Sequence, residues 1–369
     1  MFSIINFKNK FTLFFLILSI YYFFTPIIFL YNNFLKSNQL FKHEVYYLER
    51  LLNTPNYILY NFFSLLLLLF VFLYFYKFFF FTNFKKKIKI DYIAYNIIII
   101  CCIIFLLDDL FNLSKYYFDN EIIHRGSLYV ELLNNRRTHV NLLIIISVIN
   151  FKNYKKLSYL SYFLIIIYSV LSLSRIDLFF LFFCHVMTNI SFNNKNIKKI
   201  SLNIFFIILI IAFYRFILSG QSFSLIFIEP LHLMVSSKIF FSNFLLFNFN
   251  DYITLNLNFF IKDFFYLPVN LKNYFLLAYP EMPTYSIRGA DSLICFFIVF
   301  IIYSFILRFL IDNFYIDKYF FNCVFAFLLI SLFRGNFVHN LNFIIKIYLL
   351  IIFLTWTIQK IQQLRLRVV

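Results

Sequence analysis

Four glycines occur in 369 residues, and three of them directly follow an arginine. They are Gly126 after Arg125 in "IIHRGSL", Gly289 after Arg288 in "YSIRGAD" and Gly335 after Arg334 in "SLFRGNFVHNL". The fourth, Gly220, stands five residues after Arg215 in "FYRFILSG". A guanidinium presents a planar fork that binds phosphate or carboxylate oxygens in a bidentate manner, whereas a lysine offers a point charge. A neighbouring glycine lets the backbone turn sharply or approach a ligand, and adds amide donors for an anion. The pairing points to anion binding. Arg175, Arg215, Arg288 and Arg334 come from four different predicted helix ends, so packing would let them converge on one group, with diphosphate the natural ligand. Arg125 is a further candidate contact. Titratable groups on the same stretches would supply a base for a hydroxyl nucleophile. These are Glu229 and His232 in "FIEPLHLM", Asp291 after "SIRGA", and His339, five residues beyond Arg334. Glu229 ranks first as base and His339 second, with His232 and Asp291 as substrate contacts.

Each candidate also has a plainer reading. Arginines at helix ends snorkel toward headgroups, and loop glycines are turn residues. Glu229-Pro230 stops a helix, His232 suits an interface, and Asp291 suits the first turn of a helix, where the dipole favours a carboxylate. What sets the arginines apart is their company with glycine and their distribution along the chain.

That distribution depends on the elements that carry them. The chain is 63% hydrophobic and 13% charged, with mean hydropathy +0.83, where a soluble domain is about 25% charged. Apolar runs of roughly 18 or more residues recur along its length, the mark of membrane-spanning helices. The expected fold is an all-α, polytopic transmembrane helix bundle forming one integral membrane domain over residues 1–369. About ten spans are predicted, near 11–30, 57–81, 91–110, 138–151, 157–173, 175–191, 200–218, 292–311, 319–333 and 341–358. The fourth is short and is expected to borrow a turn from each flank. No cleavage site follows the N-terminal apolar run, which is read as the first span. The abundance of Phe, Ile, Tyr, Asn and Lys suggests AT-rich coding, so no single aromatic is given a role.

Lysine clusters set the orientation. "FKNK", "FKKKIKI", "FKNYKK", "NNKNIKK" and "IQKIQQLRLR" fall at every second loop, which puts them and both termini in the cytoplasm by the positive-inside rule. These loops account for the net charge of +17, so no nucleic-acid partner is expected. Between "FKNYKK" and "NNKNIKK" the chain must cross and return, turning near "LSLSRID". Ser174 and Asp177 there fit a capping box. The long segment over 219–291 becomes an outer loop with interfacial helices, holding Pro230, Pro268, Pro280 and Pro283 of the six prolines. A loop of that size is usually functional.

With this topology Arg50, Arg125, Arg136, Arg137, Arg175, Arg215, Arg288 and Arg334 fall outside, while lysine dominates inside. The positive-inside rule accepts either residue within, so it does not produce such a split. The cysteines Cys101, Cys102, Cys184, Cys295 and Cys323 lie in apolar runs without metal-ligand spacing and read as small core residues. Asp108 and Asp109 in "LLDDLF" are the one acidic pair to weigh as a metal clamp. Adjacent helical residues point about 100° apart, so they are expected to mark a charged helix end paired with Arg136 or Arg137, and neither a metal nor another cofactor is expected.

Several of these features together resemble bacterial oligosaccharide repeat-unit polymerases (O-antigen polymerases) and the related O-antigen ligases. "LSLSRIDLFFLFF" is similar to their Ser-Arg turn before an apolar helix, "FIEPLHLM" to a Glu-Pro segment, and "LFRGNFVHNL" to a late Arg-Gly turn. The ligase pattern of a histidine followed ten residues later by glycine is absent after His339, which favours the polymerase. The resemblance implies a membrane-embedded glycosyltransferase of the C type in the bacterial inner membrane, with its active face in the periplasm. Its substrate would be an oligosaccharide on undecaprenyl diphosphate, moved onto a second lipid-linked repeat unit. A chain-length regulator would be a partner beside membrane lipid. The alternatives are an O-antigen ligase and a lipid-linked sugar flippase or transporter, the latter disfavoured by nearly charge-free spans and the lack of a repeat.

Overall fold

The computed structural model of the chain describes residues 10–31, 57–81, 92–119, 137–172, 175–189, 293–313, 318–334 and 337–368. Among the described residues there are nine α-helices and no strand. They are α1 (Lys10–Tyr31), α2 (Tyr57–Phe81), α3 (Tyr92–Asp119), α4 (Arg137–Asn150), α5 (Lys155–Leu171), α6 (Arg175–Asn189), α7 (Leu293–Asn313), α8 (Lys318–Arg334) and α9 (Phe337–Val368). The all-α expectation holds. The predicted span at 200–218 and the loop at 219–291 lie outside the described residues.

Long runs of Leu, Ile and Phe without interior glycine give the backbone one economical solution, which is to satisfy its own hydrogen bonds as a helix. Nine of the predicted segments accordingly reappear within a few residues, with two overruns and one shortfall. α3 continues nine residues past its predicted end, because Asp108 and Asp109 do not interrupt the ladder. Asn112 donates to Asp108 one turn back at 3.4 Å. α9 is 32 residues, extending beyond its apolar run into "QKIQQLRLR". The 14 residues of α4, about 21 Å of helix, do not borrow the expected turn at their C-terminal end. There the Asn150 carbonyl accepts the amides of Asn153 and Tyr154 at 3.0 and 2.9 Å, which closes the helix into a tight turn toward α5.

The chain divides into two compact units, residues 1–83, 224–310 and 328–346 in one, and 84–223, 311–327 and 347–369 in the other. In the first, aromatic rings make the core. Phe15 stacks on Phe72 at 4.3 Å, Phe15 and Tyr22 both meet Phe333, and Phe300 receives the edges of Tyr74 and Phe75. Rings bury large apolar area and hold defined tilts, so they lock apolar helices against one another.

The second unit is an alternating bundle. Asn150, ending α4, donates to Asn96 near the start of α3 at 2.7 Å. Asn189, ending α6, donates to the Val148 carbonyl near the end of α4 at 3.0 Å. Tyr117, near the end of α3, donates to the Leu171 carbonyl at the end of α5 at 2.6 Å. α3 and α5 therefore run one way, and α4 and α6 the other. Small side chains permit the close approach: Ser158, Ser161 and Ser169 are all buried along one face of α5 with Ile165 and Tyr168. Ser161 and Ser169 return their hydroxyls to carbonyls one turn back.

Outward faces are apolar. On α3 Ile104, Phe105, Phe111 and Phe118 are exposed, and on α7 Ile301, Phe305 and Phe309. Among the described residues two stretches, Tyr92–Phe118 and Asn340–Leu364, are long and apolar enough to cross a membrane by length and composition.

Candidate functional site

Helix termini carry the basic residues in a sorted way. α1, α5 and α8 each begin on a lysine: Lys10, Lys155 and Lys318. α4 and α6 begin on Arg137 and Arg175, and α8 ends on Arg334. Because α4 and α6 run together in the second unit, Arg137 and Arg175 start from the same end of the bundle, which also holds the last turns of α3 and α5. Lys155 starts from the opposite end. At that opposite end Lys152 meets the hydroxyl of Tyr319 and sits over its ring, 4.0 Å from the centroid. Lys115, on the last turns of α3, is a lysine at the arginine end.

Of the sequence-derived site residues, Arg175 opens α6, with Asp177 of the expected capping box buried in its first turn. Arg334 is the last residue of α8 and His339 the third of α9, so the two flank one short connection between helices. Asn340 donates to the Ser331 hydroxyl across that connection at 2.8 Å and fastens the corner. Arg125, Arg215, Glu229, His232, Arg288 and Asp291 lie outside the described residues. The convergence of Arg175, Arg215, Arg288 and Arg334 thus remains an expectation from sequence.

One pair absent from the sequence reasoning is brought together. Nε2 of His139, in the first turn of α4, lies 2.9 Å from Oδ2 of Asp109 on α3. Both atoms are sealed from solvent, and the contact is at ion-pair distance without the alignment of an ideal hydrogen bond. The Asp109 side chain is 5% exposed and His139 17%. Phe105 stands beside the imidazole at 6.3 Å between ring centroids. Asp108 points outward, as adjacent helical positions require. The carboxylate expected to meet Arg136 or Arg137 has His139 as its described partner. The side chains of both arginines lie outside the described residues. The one sequence signal was an acidic pair at a span end followed by a histidine at the next span start.

Among the described residues no group of three or more His, Cys, Asp or Glu could hold a metal ion. Among the cysteines with described side chains, Cys102, Cys184 and Cys323 are buried, as expected, but Cys101 is exposed because α3 turns it to the outer face. The side chain of Cys295 lies outside the described residues. Cys323 and Cys184 act as weak donors within the bundle, to the Ile145 and Cys323 carbonyls at 3.7 and 3.9 Å. Compared with protein families, curated proteins and solved structures, the chain matches none.

Proposed function

We propose that the chain is a multi-pass inner-membrane glycosyltransferase that polymerises lipid-linked oligosaccharide repeat units. It would transfer the growing glycan from undecaprenyl diphosphate to the next repeat unit on the periplasmic face. The observation that carries this reading is the sorting of helix termini, with lysine opening helices at one end of the second unit and arginine at the other. Arginine gathered on one face suits a departing diphosphate, which preorganised guanidinium groups stabilise as charge develops.

The apolar outward faces of α3 and α7 support a membrane setting, since a water-exposed surface rarely carries contiguous apolar patches of that kind. In lipid they are ordinary helix surface. Arg215 and Arg288 are assigned to the diphosphate, with Arg175 and Arg334 in support. For the acceptor hydroxyl the sequence candidates are Glu229 and then His339.

Deleting the gene and resolving the cell's surface polysaccharide by size tests the reading. The polymerase predicts that the long ladder collapses to single repeat units on the lipid anchor. An unchanged ladder refutes it. Long polymer that accumulates on the carrier would indicate a ligase instead, and unpolymerised units trapped on the inner leaflet a flippase.

A further inference from the structure

The Asp109–His139 pair is a site that neither the sequence reasoning nor the proposed arginine cluster uses. Two helices of opposite direction supply it, at the end of the second unit where α4 and α6 begin with Arg137 and Arg175. The carboxylate is nearly sealed, and burying a carboxylate is costly unless it is paired. A merely structural pair at this depth needs no titratable partner, since two apolar residues of similar volume serve as well or better. A carboxylate at ion-pair distance from one nitrogen of an imidazole stabilises the imidazolium that forms on proton uptake and leaves the other nitrogen to work. Here Nε2 faces Asp109, so Nδ1 is the nitrogen left for a substrate. The other ionisable groups on the described helices at this end are Asp108, Lys115, Tyr116, Tyr117 and Asp119 on α3, Arg137 on α4, Tyr168 on α5, and Arg175 and Asp177 on α6.

We infer that His139, backed by Asp109, is the general base of the transfer, taking this role in place of Glu229 and His339. The inference rests on the transferase reading proposed above. In the step, the acceptor sugar hydroxyl attacks the anomeric carbon of the lipid-linked donor glycan. The bond from that carbon to the diphosphate oxygen breaks, and its electron pair leaves with the lipid diphosphate. The hydroxyl proton passes to Nδ1 of His139, and the Asp109 carboxylate balances the imidazolium until the proton is lost to water.

The test uses the full-length protein in liposomes with lipid-diphosphate-linked repeat units. His139→Ala lowers kcat about 100-fold or more, in the range of general base catalysis, with KM for the donor lipid within about twofold. Imidazole added to the assay restores part of that turnover. Asp109→Asn preserves shape and lowers kcat about tenfold, with helix content and melting temperature unchanged. It keeps the test decisive should the alanine variant fail to fold. His139→Gln turning over at the wild-type rate overturns the inference. So does Asp109→Asn at full kcat, or an alanine defect that imidazole leaves untouched, since each assigns the pair to holding α3 against α4. Wild-type protein that elongates nothing refutes the transferase reading itself. A wild-type ladder with an unaffected His139→Gln refutes only the role of the pair.

Discussion

Asn340 reaches back across the α8–α9 connection to donate 2.8 Å to the Ser331 hydroxyl. Ser331 lies one turn before the end of α8 and Asn340 in the first turn of α9, so the bond fixes the angle at which the two helices part. Arg334 and His339, two of the proposed site residues, ride on that corner. Ser331→Ala leaves the Asn340 amide without this acceptor in an apolar surrounding. The expected cost is about 1 kcal/mol, in the range of interhelical polar contacts, read as a lower unfolding midpoint in detergent. An unchanged midpoint would remove the bond from the forces that hold the corner.

Ser158 and Ser161 are fully buried where α5 meets its neighbours. A leucine at Ser161 adds volume to a packed seam and is expected to cost about 1–3 kcal/mol through overpacking. Alanine there stays close to wild type, because the hydroxyl bonds only its own helix at Leu157. Thermal unfolding of the two variants separates size from polarity. Equal stability of leucine and alanine would show that the seam is loose.

The opposite ends of the second unit should lie on opposite sides of the membrane. Phe118, near the end of α3, is 91% exposed, and Asn153 in the α4–α5 turn is also exposed. In a cysteine-free background, F118C should react with a membrane-impermeant thiol reagent in intact spheroplasts, and N153C only after lysis. Labelling of both before lysis would contradict the crossing.

Arg288→Ala is expected to abolish elongation and leave single repeat units on the carrier. Arg288→Lys should also fail, because a point charge does not replace the bidentate fork. A long ladder in the alanine variant would remove Arg288 from the diphosphate site, and full activity of the lysine variant would rule out bidentate binding.

Chelator treatment of membranes should leave elongation intact. Asp108 and Asp109 are adjacent on α3 and diverge, and Asp109 is engaged with His139. A loss of activity that Mg²⁺ restores would instead make these acids a cation site.

Helix positions were legible because hydropathy is a local property. α2 was expected at 57–81 and spans Tyr57–Phe81, since an uninterrupted apolar run leaves the backbone little but the helix. The lysine and arginine helix starts were equally visible, being read one residue at a time. The candidate site was less legible. Arg175, Arg334 and His339 are placed at helix ends, whereas Asp109 and His139 were not paired in advance.

The physical reason is rotation and depth. A helix that is apolar on every side, such as α1 or α2, gives no signal of which face packs inward. Its rotation is settled by the shapes of its neighbours. The sequence by itself determined that this chain makes long helices, where most of them lie, and which termini carry arginine. Only tertiary packing decided that Asp109 lies level with His139 across the bundle. The same packing turned Cys101 out and Cys102 in, and drew Asn340 onto Ser331, because such pairings depend on how far each helix slides and turns against the next.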